Sequence, residues 1–289
     1  MSAKPIRAAI KAVRLAAAGK YVSRAEIAAD YDRISTGYDE HFSRHAAAHS
    51  DELVAGIKGL PHDARILDLA CGTGAVVAAW RRNYPDARLT GVDGSAGMLA
   101  VARRRCPDAE FVQGDMEEAL GNFLDESLDA VSCAWAIGYA EPLRLARTVW
   151  RKLKPGGVFA VVENRRDTWP QVRKAAFGVA MEMPESLVRL MDLHLRLPKS
   201  AGALKRLLGR AGFARVACGE GAQAFTFASG EEVLAWSLKT GVSAGFDRAM
   251  DPARRAACDA AFIRRIEQFR NNGILAIEHR YVWAKGVRA

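Results

Sequence analysis

An acid opens a glycine-rich run, Asp68-Leu69-Ala70-Cys71-Gly72-Thr73-Gly74, and a second acid, Asp93, lies nineteen residues past its last glycine. The run follows an apolar, strand-like stretch (Ala64 to Leu67) and enters a helical one (Ala75 to Arg82). Strand, glycine loop and helix together bring a ligand against bare backbone and a helix N-terminus, whose first N–H groups have no intrahelical partner. Asp93 ends a second apolar run, Leu89-Thr90-Gly91-Val92. An acid about 20 residues downstream, at a strand end, is placed to accept from ribose hydroxyls. The pair predicts a nucleoside-containing cofactor. A dinucleotide fingerprint would need glycine where Val77 stands, and no Gly-Lys-Ser/Thr follows to seat a triphosphate, so both of those cofactor classes are disfavoured.

The glycine run resembles motif I of the class I S-adenosylmethionine-dependent methyltransferases, with Ala70 in place of the motif's first glycine. Alanine adds one methyl group there and makes a positive φ unfavourable. Val92-Asp93-Gly94-Ser95-Ala96-Gly97-Met98-Leu99 resembles motif II, and Val112-Gln113-Gly114-Asp115-Met116 resembles motif III. Asn122 to Ser132 resembles the approach to strand four, and Leu153-Lys154-Pro155-Gly156-Gly157 the turn before strand five. The resemblance holds in order over residues 64 to 163 and is closest to the small-molecule branch that includes the ubiquinone/menaquinone and malonyl-carrier methyltransferases. It implies S-adenosyl-L-methionine as cofactor and methyl transfer as the reaction. It assigns cofactor contact to Asp68, Ala70, Gly72, Gly74, Asp93, Gly94, Met98, Gly114, Asp115, Met116 and Ser132. Within that set Asp93 serves the ribose, Met98 the adenine face, and Asp115 with the Met116 backbone the adenine edge. Tyr38, in the segment Tyr31 to Asp39, resembles the tyrosine that covers the methionine end of the cofactor.

Methyl transfer from a sulfonium is an in-line displacement, so alignment of the reactants carries most of the catalysis. A base is needed only where the nucleophile arrives protonated. In a doubly wound sheet the substrate sits at the C-terminal ends of the strands. Trp135 and Tyr139, after strand four, read as an aromatic wall for the sulfonium and the acceptor, or as packing. Glu163, ending strand five, reads as a general base, or as a cap or an ion-pair partner of Arg165 or Arg166. Catalytic expectations therefore fall on Tyr38, Glu163 and Tyr139, and substrate contact on Trp135, Tyr139 and Arg165. His41, His45, His49, His194 and His279 are weaker candidate bases. Cys71 and Cys133 read as packing residues. No metal site is expected, because the histidines lack a metal-binding spacing with an acid.

These side chains need a scaffold. Strands are expected at 64–69, 88–92, 109–113, 128–134 and 157–163, with helices at 75–83, 95–105 and 141–152 between them. Alternating βα units imply α/β architecture: a doubly wound, mostly parallel, seven-stranded Rossmann-like sheet with helical lid insertions. Ser95 is the expected N-cap of the second helix, and Pro107 stops that helix at its other end. Helix 201–211 leads to a sixth strand at Gly212-Phe213-Ala214-Arg215-Val216, and Glu278 to Lys285 supplies an antiparallel seventh. The expected division is an N-terminal helical cap (1–60), a cofactor-binding core (61–222 and 273–289, with a helical insertion at 165–200), and a helical lid or insertion between strands six and seven (223–272). A connection that long calls for a reason, such as a lid or a dimer contact.

Composition is that of a globular protein, with 289 residues, 50% hydrophobic and 26% charged. Five scattered cysteines with no Cys-x-x-Cys pair suggest neither a disulfide framework nor a zinc site, and a cytoplasmic setting is expected. The net charge is +9, but six cations and no acid lie in residues 1–24, which leaves only +3 for the rest. The basic character thus belongs to an N-terminal segment and not to a nucleic-acid groove across the fold. Pro5 to Val22 reads as a helix with Ile6, Ala9, Ile10, Val13 and Ala17 on one side. That side covers a core or meets an anionic membrane surface, or the segment is an organelle-targeting peptide. The leading expectation is methylation of a small, partly apolar metabolite by a protein that stands alone or as a homodimer. The alternatives are an RNA or protein methyltransferase, or a catalytically silent S-adenosylmethionine-binding regulatory protein.

Overall fold

Leu67, Leu69, Val131, Cys133, Phe159 and Val161 pack on one face of a central sheet, while Ile66, Ala130, Val158, Ala160 and Val162 pack on the other. Side chains alternate across a strand, so strands apolar on both faces must be covered on both, as in parallel sheets. The computed structural model describes residues 4–40, 44–191 and 196–289, without the side chains of residues 4 and 44–47. Its strands are β1 (Arg65–Leu69), β2 (Arg88–Asp93), β3 (Glu110–Gln113), β4 (Leu128–Ala134), β5 (Leu153–Asn164), β6 (Phe213–Phe227) and β7 (Leu275–Arg288). They form one seven-stranded sheet in the order β3-β2-β1-β4-β5-β7-β6. The first five are parallel to their neighbours, and β7 runs antiparallel to β5 from Val158↔Val287 to Asn164↔Tyr281. β1 has β2 on one side and β4 on the other, so the strand order reverses there. A crevice outside the C-terminal ends of β1 and β4 is the ligand position that such a switch point provides.

The helices are α1 (Lys4–Ala17), α2 (Arg24–Ile34), α3 (Arg44–Ala55), α4 (Ala75–Asn83), α5 (Ala96–Arg105), α6 (Met116–Ala119), α7 (Pro142–Lys152), α8 (Pro170–Glu182), α9 (Ala201–Ala211), α10 (Gly230–Lys239), α11 (Phe246–Ala249) and α12 (Arg255–Ile266). α3, α4 and α5 bring Val54, Trp80 and Leu99 to one sheet face, and α7 and α9 bring Val149 and Leu208 to the other. The wound α/β architecture expected from the residue pattern is therefore present. Ser95 caps α5 as expected, accepting from Met98 N at 3.0 Å. One local expectation changes. The Leu153-Gly157 segment is not a turn ahead of the strand but the start of β5, where the pairing shifts from Leu128↔Leu153 to Ala130↔Val158. Gly156 absorbs that irregularity with φ 81°, a conformation open to glycine without steric penalty.

By contacts the chain divides into two compact units. The larger holds residues 31–166, 193–221 and 281–289, and the smaller holds 1–30, 167–192 and 222–280. The first break falls at residue 30, inside α2, because Tyr31 and the residues after it bond to the glycine loop and α5. Within the smaller unit, α12 packs on α8 and α10, and Arg265 clasps Glu182 at 2.9 Å. Trp169 stacks on His279 at 4.2 Å with Phe225 and Trp236 around them. Buried Asp30 accepts from Gly245 N and Arg248 Nε. α1 lies along α8, and its Ala8 and Leu15 are buried. Its other apolar side faces outward, with Ile6 65%, Ile10 47% and Val13 68% exposed. Of the readings open for that stripe, covering a core gives way, since its large residues are turned to solvent.

Candidate functional site

The glycine loop follows β1 in a backbone conformation that side chains resist. Ala70, Gly72 and Gly74 have φ of 52°, 53° and 80°. Ala70 therefore does adopt the left-handed region that its methyl group disfavours. Trp135, at the end of neighbouring β4, has φ 61°, so backbone strain sits at the ends of both switch-point strands. The two loop glycines serve different ends. A Cβ on Gly74 would meet the Ala102 Cβ at 3.1 Å, so that glycine lets α4 and α5 approach. A Cβ on Gly72 would meet nothing within 4 Å, and the same holds at Gly114. Backbone at those two points borders open space.

Asp93 turns toward this space. Its Oδ2 accepts from Gly72 N at 2.8 Å and its Oδ1 from Ser95 N at 2.9 Å. Burial raises its pKa above the ordinary carboxylate value, against those two hydrogen bonds. Asp68 lies under the loop, 2% exposed. Its Oδ1 accepts from Ser132 Oγ at 2.6 Å, and Ser132 Oγ accepts in turn from Trp80 Nε1 at 2.9 Å. Asp68 Oδ2 is buried with no hydrogen-bond partner among the described residues, and burial pushes the carboxyl up to about 7. A buried acceptor of this kind carries a desolvation penalty until a donor reaches it. Asp115 caps α6, accepting from Glu117 N at 2.7 Å. Met98 is 2% exposed and Met116 9%. Gly94 is exposed, and its carbonyl accepts from Gln113 Nε2 at 3.3 Å.

The segment after residue 30 is tied to the loop by contacts that the spacing rules did not single out. Asp32 Oδ1 accepts from Ser95 Oγ at 2.5 Å and from Gly97 N at 2.8 Å. Asp39 accepts from Thr73 Oγ1 at 2.7 Å and pairs with Arg105, which also donates to the Thr73 carbonyl. Tyr38 meets Tyr31 edge-on at 6.0 Å, and the Tyr31 and Tyr139 hydroxyls are 2.9 Å apart. Burial pushes Tyr31 up to about 12 and raises Tyr38 and Tyr139 well above the usual phenol value. Tyr31, Asp32 and Asp39 are thus neighbours of the site. The only sequence signal for them was their place in the Tyr-Asp segment around Tyr38.

Glu163 ends β5 at 1% exposure. Its Oε1 accepts from Asn164 N at 2.7 Å and its Oε2 from Gly138 N at 3.2 Å. Burial pushes this carboxyl up to about 7, above an ordinary glutamate, in spite of those amides. Of the readings open for Glu163, the ion pair with Arg165 or Arg166 gives way to this backbone anchoring, which is a cap. Arg165 instead faces Glu220 at 3.6 Å. Trp135 packs edge-on to His49 at 6.5 Å and to Tyr281 at 6.0 Å. His279 stacks on Trp169 and bonds Gln223 at 3.1 Å. His41, His194 and the His45 side chain lie outside the described residues. Cys71 and Cys133 are buried, and burial raises both thiols, which favours the packing reading. Among the described residues, no group of three or more His, Cys, Asp or Glu side chains is placed to hold a metal ion.

Bare backbone, a carboxylate aimed at it and a buried unsatisfied acceptor, all at the switch point of a doubly wound sheet, define a Rossmann-like protein that binds a nucleoside cofactor. A family profile described as a methyltransferase domain matches residues 66–157. The chain is 30% identical to the trans-aconitate 2-methyltransferase of Variovorax paradoxus over 227 residues, which is 76% of this chain and 83% of that protein. It is 33% identical to the demethylmenaquinone methyltransferase of Chlorobaculum parvum over 154 residues, 52% of this chain and 61% of that protein. The chain spans about half the length of further curated relatives, among them a trans-aconitate 2-methyltransferase, two demethylmenaquinone methyltransferases and a malonyl-carrier-protein methyltransferase. Among solved structures, the YcgJ protein of Bacillus subtilis shares the fold with a TM-score of 0.55 at 18% identity, over 83% of this chain and 98% of that one. The chain belongs to the class I S-adenosylmethionine-dependent methyltransferases, in their small-molecule branch. The residues fit that cofactor. Asp93 would hold the ribose hydroxyls, Gly72 and Gly114 admit a close approach of the ligand, and Asp68 Oδ2 is an acceptor in want of a donor.

Proposed function

We propose that the chain transfers a methyl group from S-adenosylmethionine to a small, partly apolar metabolite by in-line displacement. The observation that carries this reading is the Asp93 carboxylate held against Gly72 N, beside open backbone at the β1/β4 switch point. Bound there, the cofactor supplies a methyl group already activated by sulfonium charge. The protein's part is to hold, align and exclude water. Tyr31, Tyr38 and Tyr139 supply a wall of phenols that stay protonated at neutral pH, so they serve as hydrogen-bond donors and apolar surface and not as bases. Glu163 titrates near neutrality. That makes it the proposed acceptor of a proton from the incoming nucleophile, since a base is most effective when its pKa lies near the working pH.

The experiment is a transfer screen with methyl-labelled cofactor against a metabolite extract, read by mass identification of the labelled product. A small labelled product with release of S-adenosylhomocysteine supports the reading. Label found only in RNA or protein would replace it with a macromolecular acceptor. Tight binding of the cofactor with no turnover across the panel would replace it with a regulatory role.

A second reading concerns the partner of α1. Its outward face carries Ile6, Ile10 and Val13, and the helix has cations and no acid. An exposed apolar stripe with a basic flank suits an anionic lipid surface. Among the described residues no helix is long and apolar enough to cross a membrane, so the proposed contact is peripheral. Co-sedimentation with phosphatidylcholine vesicles, with and without phosphatidylglycerol, tests it. Binding should need the anionic lipid, fall with salt and disappear in Ile10→Glu. Failure to sediment, together with dimers that Ile10→Glu dissociates, would assign the face to a second copy of the chain.

A further inference from the structure

A cavity of about 260 Å3 opens beside the turn that follows β4. Ile137, Pro142, Leu204 and Leu207 give it apolar walls, and Arg166, Arg196 and Lys199 line it as well, with no acidic residue in the lining. Within the proposed methyl-transfer function, on which this inference rests, we propose that the acceptor carries an anionic group, carboxylate or phosphate, received by these three cations.

Four observations converge on that assignment. The first is place. Ile137 lies one residue before Gly138, whose N–H is held by Glu163, and two before Tyr139, so the cavity adjoins the C-terminal ends of β4 and β5, where a doubly wound sheet takes its substrate. The second is construction. Arg166 donates through its backbone N to the Pro198 carbonyl at 2.8 Å and through Nε to the Leu197 carbonyl at 3.2 Å. These bonds hold Arg166 and the 196–199 segment on one wall. The third is field. The first turns of α7 (Pro142) and α9 (Ala203) both contribute to the lining, and helix N-termini favour anions. The fourth is the engagement of two acids that flank the lining. Glu141 caps α7 through Leu143 N and Arg144 N, while Glu220 accepts from Ala201 N and faces Arg165. Arginine presents a planar fork of donors that matches carboxylate and phosphate geometry. The apolar walls would take the carbon skeleton, so a partly apolar acid fits both halves of the cavity. Substrate contact thereby moves from Arg165 to its neighbour Arg166.

The test is calorimetry on the full chain saturated with S-adenosylhomocysteine. The probes are phenylacetate, glutarate and inorganic phosphate, each carboxylate paired with its neutral amide. At least one anion should bind saturably and its amide at least tenfold more weakly. The carboxylate and phosphate arms distinguish the two anion sources. Arg196→Gln and exposed Lys199→Gln should each weaken the anion at least fivefold and leave S-adenosylhomocysteine affinity within twofold. Arg166→Gln should do the same, and as that residue also anchors Leu197, the other two variants keep the result independent of any loss of folding. Equal binding of acid and amide, indifference to both Arg196→Gln and Lys199→Gln, or no saturable anion would overturn the assignment. A wild type that fails to bind S-adenosylhomocysteine would instead bring down the underlying methyltransferase reading.

Discussion

Three residues carry distinct and separable predictions. Asp93 is bonded to two backbone amides and aimed at the open loop. Asp93→Ala should weaken S-adenosylmethionine at least about tenfold, the size of losing roughly one charge-assisted hydrogen bond. Asp93→Asn, which keeps one acceptor oxygen, should fall between, and unchanged binding in calorimetry for both would remove Asp93 from the cofactor site. Ala70 sits at φ 52° where the related motif has glycine. An alanine makes positive φ unfavourable, but the chain accepts the strain because the loop geometry is held on both sides. Cys71 N bonds the Val92 carbonyl at 2.9 Å, and Gly72 N bonds Asp93. Ala70→Gly should therefore stabilise the protein by about 0.5–1 kcal/mol, relief of the left-handed penalty partly offset by glycine's unfolded-state entropy. A thermal melt should show a rise of roughly 1–3 °C, and a fall would mean the alanine methyl is a packing element. Glu163 reads from the sequence as a base, a cap or an ion-pair partner. Its carboxylate is fixed by the Asn164 and Gly138 amides, which is the capping reading and not the ion pair. If it also takes the proton, Glu163→Gln should lower kcat by about 10²–10⁴ and abolish a limb near pH 7 in the rate profile. A loss confined to KM, with the limb intact, would leave it a positioning residue only.

At the scale of elements, the end of α2 pressed onto the start of α5 is the least anticipated feature. Gly97 has no unusual φ, and glycine inside a helix is ordinarily unfavourable. Its reason is contact, because a Cβ there would meet Ser35 Oγ at 2.7 Å and the Asp32 carbonyl at 3.1 Å. Gly97→Ala should push α2 off its Asp32 bonds to Ser95 and Gly97. The expected result is a Tm a few degrees lower and weaker cofactor binding, despite alanine's better helix propensity. A variant more stable than wild type would show that the contact gives way freely. Local pattern revealed the βα alternation because β1, β2, β4 and β5 are buried on both faces and their apolar runs are continuous. It located α4, α5, α7 and α9 within a residue or two for the same reason, their apolar faces meeting that sheet. What pattern could not reveal depends on partners distant in sequence. Asp32 to Ser95 spans 63 positions and Tyr31 to Tyr139 spans 108. The outward face of α1 escaped for a related reason. Amphipathic spacing fixes which residues share a side of a helix but not which side the body offers. Ala8 and Leu15, opposite the stripe, proved to be the buried ones.

Over the whole molecule, buried carboxyls set a pH dependence of stability with a definite sign. Asp68 and Glu163 are each pushed by burial up to about 7, from ordinary values of 3.8 and 4.5, and Asp93 shifts in the same direction. In the folded chain these groups keep protons that the unfolded chain releases between about pH 4 and 7. Folding stability is therefore not penalised by them below pH 4, falls as pH rises through that window, and is flat above it. Glu26 acts oppositely. The Ser23 backbone N–H, then Arg189, hold it down to about 2, so its contribution is present above its unfolded value and is lost as pH drops toward 2. The two trends leave a stability maximum near pH 4–5, on the acidic side of neutrality. With no ligand present, wild-type Tm should drop between pH 5 and pH 8, reflecting a difference on the order of a few kcal/mol from the shifted pair. Asp68→Asn retains an oxygen for Ser132 and cannot ionise, so it should reduce that slope and leave the part that Glu163 and Asp93 carry. A wild-type Tm that is level or rising across this range would mean that water reaches these carboxyls and that they ionise in the folded chain as they do in solution. The desolvated floor beneath the glycine loop, on which the orphaned Asp68 Oδ2 depends, would then not exist.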